Sequence, residues 1–227
     1  MTSVPPSPRA PGARARPSAR VRGGARSPRR TQEAPARRRR PGTAGLLAAL
    51  ALAALLIVPH LNHAVRDIAL PLRDQDIIRQ QAAQKHLDPA LIAAVIFAET
   101  RFNPRRSPTG AEGLMQIEPG TAAFLAHLSH GYRFQVSDLA TPQVNIAYGS
   151  YYLRYLLDHF RGDEVLAIAA YNGGVANVDH WVAQARAQGH SLTAQAIPFP
   201  ETRTYVRRVL QARGDYRTAY GRQLALT

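Results

Sequence analysis

Asp88-Pro89-Ala90-Leu91-Ile92-Ala93-Ala94-Val95-Ile96-Phe97-Ala98-Glu99-Thr100 begins with a helix-capping side chain and a proline at the first helical position. It continues as an unbroken apolar run and ends on a carboxylate, so it predicts a buried helix carrying Glu99 in its last turn. Burial disfavours the charged form of that carboxylate, and so does the negative end of the helix macrodipole. The pKa of Glu99 is therefore expected to move upward, toward what a general acid needs near neutral pH. Taken alone, the pattern also fits a solvated glutamate at a helix end.

Similar punctuation recurs on both sides of this segment. Asp74 or a neighbour can cap a helix running through His86, Glu118-Pro119 opens one toward Leu128, and Thr141-Pro142 opens a long one toward Phe160. Asp163 opens another that Gly173-Gly174 would stop. On the long helix Val144, Tyr148, Tyr151, Tyr152, Tyr155 and Leu156 recur at three- and four-residue steps, the spacing of a buried stripe. Strand signals are nearly absent and no internal repeat is evident, so the part after Arg66 is expected to be all-α.

The 227 residues allow one domain, or two very small ones. With no cysteine, the chain has no disulfide, no thiolate metal site, no cysteine nucleophile and no acylated-cysteine anchor. The formal charge of +14 is unevenly spread: residues 1–42 hold 12 Arg and one acidic residue, Glu33, whereas 43–227 are nearly balanced. The basic segment is Arg, Pro, Ala, Gly and Ser with almost nothing large and apolar, and it is expected to be disordered.

After Arg37-Arg38-Arg39-Arg40, residues 43–58 carry no charge and are mostly Leu, Ala, Ile and Val. That length lies between a signal-peptide core and a full membrane span. The long basic region before it and the poor cleavage candidate Asn62-His63-Ala64 favour an uncleaved anchor over a cleaved signal, with 43–60 in the membrane. Four arginines beside its N-terminal end keep that end in the cytoplasm and put the remainder across the membrane. The tail then serves as an orientation signal that can also touch anionic lipids, and nucleic acid becomes a minor alternative.

No His, Asp and Glu cluster has the spacing of metal ligands, and no glycine-rich phosphate loop joins a strand to a helix. Neither metal nor cofactor is expected. His127 and His130, three residues apart, read as surface groups.

Four blocks in order resemble the soluble lytic transglycosylases of the lysozyme-like superfamily. The first is Ala98-Glu99-Thr100-Arg101-Phe102-Asn103-Pro104 with Ser107-Pro108-Thr109-Gly110-Ala111-Glu112-Gly113-Leu114-Met115-Gln116-Ile117. Pro142, Asn145-Ile146, Gly149 and Tyr152-Leu153 form the second, Ala169-Ala170-Tyr171-Asn172-Gly173-Gly174 the third, and Ile197 to Val206 the fourth. The resemblance implies a lysozyme-like catalytic domain that breaks the bond between N-acetylmuramic acid and N-acetylglucosamine in peptidoglycan glycan strands. In that reaction the muramoyl C6 hydroxyl attacks its own C1 and leaves a 1,6-anhydro sugar. Glu99 matches the single catalytic glutamate, and a lone acid suits a substrate that supplies its own nucleophile, unlike ordinary two-carboxylate glycosidases.

By the same resemblance, Ser107 and Thr109 match hydroxyl positions beside the catalytic carboxyl. Met115 and Gln116 match groove-lining residues, Gln116 with both ends of its amide available to a sugar. Tyr171 and Asn172 match the pair that contacts the acetamido group, Tyr205 the tyrosine over the catalytic glutamate, and Glu201 a glutamate near the groove. Gly110 and Gly113 let backbone approach the sugar closely or simply make a tight turn. Departures are small: Thr100 stands where serine is commoner, Glu118 precedes its proline where an apolar residue is frequent, and Gly174 replaces a variable neighbour.

The expected organisation is a disordered tail over 1–42, a membrane anchor over 43–60, a linker over 61–73, the catalytic domain over 74–215 and a C-terminal tail over 216–227. Two other readings stay open: a lysozyme-type muramidase that hydrolyses the same bond, and a scaffold that binds peptidoglycan without turnover.

Overall fold

A computed structural model of the chain describes residues 42–131 and 133–226, and of 42–44, 49 and 59–67 the backbone only. The tail expected over 1–42 lies outside the described residues except for Gly42. Contacts divide the chain into two units, Met1–Ala48 and Ala49–Thr227. Among the described residues the helices are α1 (Gly42–Ala69), α2 (Gln75–Lys85), α3 (Pro89–Thr100), α4 (Pro119–Leu128), α5 (Pro142–His159), α6 (Glu164–Gly173), α7 (Val175–Ala187) and α8 (Pro200–Tyr220). Short 3₁₀ turns occupy Val136–Ala140 and Ala194–Ala196.

The fold is built around α3, as its sequence predicts. Asp88 accepts a hydrogen bond from the Ala90 N–H at 2.9 Å, Pro89 takes the first helical position, and Ala90 through Ile96 are fully buried. Burying each Leu, Ile or Val side chain of this run stabilises the fold by about 1.5–3 kcal/mol relative to exposure. Around α3 lie α2 and α8, while α5 packs on α2 and α6. The face that α8 turns inward, Thr202, Tyr205, Val206, Val209, Ala212, Tyr216 and Tyr220, repeats at three- and four-residue steps.

An ion-pair network ties three helix ends together. Arg213 reaches Asp88 at 2.6 Å and Glu164 at 2.5 Å, and Arg217 reaches Asp88 at 2.7 Å. It thereby links the starts of α3 and α6 to α8. Burial disfavours the Asp88 carboxylate, but hydrogen bonds from Arg213, the Ala90 N–H and Arg217 outweigh it and hold the pKa below the ordinary value. Asp88 therefore contributes stability above the unfolded-state pKa of about 3.9, and loses it as pH falls through the lower folded value. Asp88→Asn is expected to lower the denaturation midpoint at pH 7, by an amount that shrinks as pH falls below about 3.9, as followed by circular dichroism.

The remaining boundaries test the other expectations. The helices opened by Glu118-Pro119, Thr141-Pro142 and Asp163 start where predicted, and Asp163 accepts from the Leu166 N–H at 3.0 Å. Asp74 precedes α2 but does not cap it, because its backbone is left-handed at φ 53° and its side chain accepts no cap hydrogen bond. The stripe on α5 is displaced from the expected one. Its buried residues are Asn145, Ile146, Gly149, Ser150, Leu153, Leu156 and Leu157, so Tyr148, Tyr152 and Tyr155 stand at its edge, half-buried.

The C-terminal tail expected over 216–227 is instead part of the domain. Helix α8 continues to Tyr220, Tyr216 and Leu224 are buried, and the Tyr216 and Tyr220 hydroxyls donate to the Pro71 and Leu70 carbonyls at 2.5 and 2.7 Å. The expected linker over 61–73 is correspondingly helical through Ala69, and its Leu70 and Leu72 pack on the core.

The membrane span expected over 43–60 is not found: among the described residues no helix is long and apolar enough to cross a membrane. In α1 the large apolar side chains described between Leu46 and Val58 are exposed.

Candidate active site

Glu99 sits in the last turn of α3, where the chain leaves the core. Arg101 and Phe102 both adopt left-handed backbone, at φ 51° and 59°, and end the helix. Arg105 then donates to the Glu99 carbonyl at 2.7 Å, satisfying an acceptor that the helix end would leave open. The following segment folds as a minimal hairpin, β1 (Arg105–Arg106) antiparallel to β2 (Glu112–Gly113), an element the sequence barely signals. Its turn closes through the Gly110 N–H to the Ser107 carbonyl at 3.0 Å, with Gly110 at φ 93°.

One buried amide holds this hairpin against α5. Asn145 accepts from the Met115 N–H at 2.7 Å and donates to the carbonyls of Glu112 at 2.8 Å and Leu139 at 3.0 Å. Gly113, at φ 77°, lies so close that a Cβ there would stand 2.6 Å from the Leu139 carbonyl oxygen and nearer still to the Asn145 amide. Its glycine thus serves packing inside the protein rather than approach to a sugar. The Thr100 hydroxyl, buried, donates to the Leu114 carbonyl at 2.8 Å and ties the hairpin back to α3. Asn145 and Thr100 are positioning residues whose role the sequence did not disclose.

The hairpin, α4, α5, α6 and α8 surround a cleft of about 440 Å³ whose wall includes Glu99, Ser107, Thr109, Gln116, Tyr171 and Asn172. Two further acids, Glu118 and Glu201, also line it, and both are exposed. Burial pushes the Glu99 carboxyl up from 4.5 to about 7, against the opposing influence of the Tyr205 hydrogen bond and of Arg105 and Arg208. The Tyr205 hydroxyl donates to Glu99 Oε1 at 2.7 Å. Burial, and then the negative potential of Glu99, keep the Tyr205 phenol protonated far above neutral pH. A protonatable carboxyl with its orientation fixed by one donor is what general acid catalysis asks for.

The other expected site residues divide. Ser107 and Thr109 share a hydrogen bond at 2.8 Å, and the Ser107 hydroxyl also accepts from the Ala111 N–H. Asn172 reaches the cleft with its carbonyl oxygen taken by the Thr202 hydroxyl at 2.8 Å, so it has amide hydrogens to offer a ligand. The Tyr171 hydroxyl donates to the Met115 carbonyl at 3.0 Å and retains acceptor capacity toward the cleft. Gln116 lines the cleft, but its amide nitrogen donates to the Arg105 and Gly113 carbonyls at 2.7 and 2.8 Å. Only its acceptor end is left for a sugar.

Met115 is a correction. Its side chain is fully buried and packs against Gly149, where an added Cβ would stand 2.8 Å from its Cε. It supports the groove from beneath through its backbone and does not line it. Tyr152, not expected at the site, does line it, and burial and the neighbouring Tyr155 and Glu118 push its phenol up to about 12. Its signal was present in the periodicity of α5, but the helix phase was read one residue off. His127 and His130 are exposed, as expected of surface groups.

The transglycosylase SLT domain model matches residues 76–193. The soluble lytic murein transglycosylase of Salmonella typhimurium is 34% identical over 164 residues, covering 69% of this chain and 25% of the relative. Among solved structures, the 70 kDa soluble lytic transglycosylase of Escherichia coli superposes with a TM-score of 0.63 at 30% identity, covering 71% of this chain and 27% of that one. An inactive glutamate-to-glutamine variant of the Pseudomonas aeruginosa lytic transglycosylase Slt gives a TM-score of 0.61 at 30% identity, covering 69% and 26%. The chain spans about a quarter of the length of these relatives. With more than half of its residues inside the matched domain, and with the mostly helical fold those relatives share, the chain belongs to the transglycosylase SLT domain family.

Proposed function

We propose that the chain is a lytic transglycosylase acting on peptidoglycan, with Glu99 as its general acid and base. Glu99 gives its proton to the glycosidic oxygen as the bond from muramoyl C1 to that oxygen breaks. The muramoyl C6 hydroxyl then bonds to C1 and returns its proton to Glu99, so the acid is regenerated and no water is consumed. The observation that carries this reading is a half-buried carboxyl, raised to about 7 and held by Tyr205, at the wall of an open cleft. The substrate's acetamido group, within reach of amide hydrogens from Asn172, assists at C1. Ser107, Thr109, the acceptor end of Gln116, Tyr171 and Glu201 bind the strand. Peptidoglycan places the work in the periplasm, which the basic tail and the apolar stretch over 43–60 favour as an inner-membrane tether.

Because the acid must be protonated, kcat/KM is expected to hold up to about pH 7 and to fall above it. Tyr205→Phe removes a donor that favours the charged carboxylate, so it should move this alkaline limb upward while slowing turnover less than loss of Glu99 does. A pH–rate profile of both proteins on purified peptidoglycan decides, and an unmoved limb contradicts the assignment of Glu99.

A muramidase is the second reading, and Glu118 and Glu201 on the same cleft favour it, since hydrolysis needs a second carboxylate. Under the transglycosylase reading, Glu118→Gln and Glu201→Gln alter binding and each leaves turnover within about tenfold. A loss from either that equals the loss from Glu99→Gln moves the assignment to hydrolysis.

A further inference from the structure

The two helix faces that wall the cleft do not end at it. On α4, Thr121 lines the cleft, and Phe124 and Leu128, three and seven residues on, continue the same face with 44% and 43% of their surfaces exposed. On α5, Tyr152 lines the cleft, and Tyr155 lies three residues further along the same edge, half-buried. The rings form a continuous row. Tyr171 and Tyr152 have centroids 5.4 Å apart, Tyr152 and Tyr155 stack at 6.2 Å, and Phe124 meets Tyr155 edge-to-face at 5.2 Å.

The inner half of this row belongs to the cleft, but the outer half has no task there. Phe124 and Leu128, one helical turn apart, and Tyr155 against Phe124 make a contiguous apolar strip beside an open cleft, the kind of patch that marks a binding surface. Pyranose rings in a β-linked strand present flat faces of C–H groups with hydroxyls at their edges. Such a face matches an aromatic ring held rigidly by its neighbours, while the hydroxyls stay in water. Resting on the reading of the cleft as a glycan site, we propose that Tyr155 and Phe124 extend it as an aromatic platform on which a further sugar ring of the strand stacks. The platform makes the protein select strand length: a long glycan reaches Phe124, and a short one filling only the cleft does not.

The test compares short and long strands with the full chain and with Phe124→Ala, an exposed substitution that spares the core. Peptide-free glycan tetrasaccharides and long peptide-free strands serve as substrates. N-acetylglucosamine oligomers of matching lengths serve as binding probes for the Glu99→Gln protein by calorimetry. Phe124→Ala is expected to lower kcat/KM and affinity about tenfold for long strands, the order of one ring's lost burial and stacking, and to change short ones by less than twofold. Phe124→Trp should restore the long-strand preference. Equal losses at both lengths, or none at either, overturn the platform. The binding arm decides even if turnover proves absent, an outcome that overturns the proposed reaction instead; absence of glycan binding at any length overturns both.

Discussion

Glu99→Gln is expected to keep the fold and glycan binding and to lose turnover by at least the factor of about 10² to 10⁴ that general acid–base catalysis contributes. Glutamine keeps the volume and can still accept the Tyr205 hydrogen bond, so the change removes the proton and little else. The same substitution has a second consequence of opposite sign. With its pKa raised from 4.5 to about 7, the native protein binds more protons than the unfolded chain between those values, so ionising Glu99 destabilises the fold as pH rises across that window. At 1.36 kcal/mol per pKa unit, the displacement is worth on the order of 3 kcal/mol above pH 7. Glu99→Gln is therefore expected to be more stable than the parent at pH 8 and about equal at pH 4, as read from urea midpoints. A variant that is inactive but no more stable at pH 8 would indicate a carboxyl that is solvated rather than buried.

The second large effect is expected at Asn145, which touches no substrate. Asn145→Ala leaves the Met115 N–H and the Glu112 and Leu139 carbonyls without their partner in the interior. Each unsatisfied buried group costs about 1–3 kcal/mol, so a loss on the order of 3 kcal/mol or more is expected against a total of about 5–15. The hairpin carrying Ser107, Thr109 and Gln116 is also released, so under conditions where the variant stays folded, KM should rise. Asn145→Asp keeps the acceptor for Met115 but loses the donors, and should fall between the two. Unfolding curves with steady-state rates on purified peptidoglycan check this, and parent-like stability in Asn145→Ala contradicts the positioning role.

The contrast between Glu99 and Asn145 shows what kind of information the sequence carries openly. Asp88-Pro89 and the apolar run to Ala98 are local signals: a cap, a fixed φ and a periodicity belong to neighbouring residues, and α3 follows from them directly. Glu99 stands out because a charge interrupts that local pattern. Asn145 joins Met115, 30 residues away, and Glu112, 33 away, and nothing near it in sequence indicates those partners. Met115 was misplaced for the same reason, since its burial depends on Gly149 of α5 passing beneath the hairpin. Gln116 lines the cleft, but the loop geometry that occupies its amide nitrogen is tertiary. On α5 the period was legible and the phase was not, because Tyr152 and Tyr155 are amphipathic and sit at the edge of the buried stripe rather than within it. Past Asp215 the sequence turns polar and looks like a tail, yet the Tyr216 and Tyr220 hydroxyls find carbonyls in the segment before α2.

The central claim is that one raised carboxyl cleaves the strand while the substrate supplies the nucleophile. Mass spectrometry of the fragments that the full chain releases from purified peptidoglycan, run beside Glu99→Gln, tests it most directly. The account predicts fragments lighter by one water than their reducing counterparts, absent with the variant. Fragments with free reducing ends, or fragments that persist with Glu99→Gln, would contradict it.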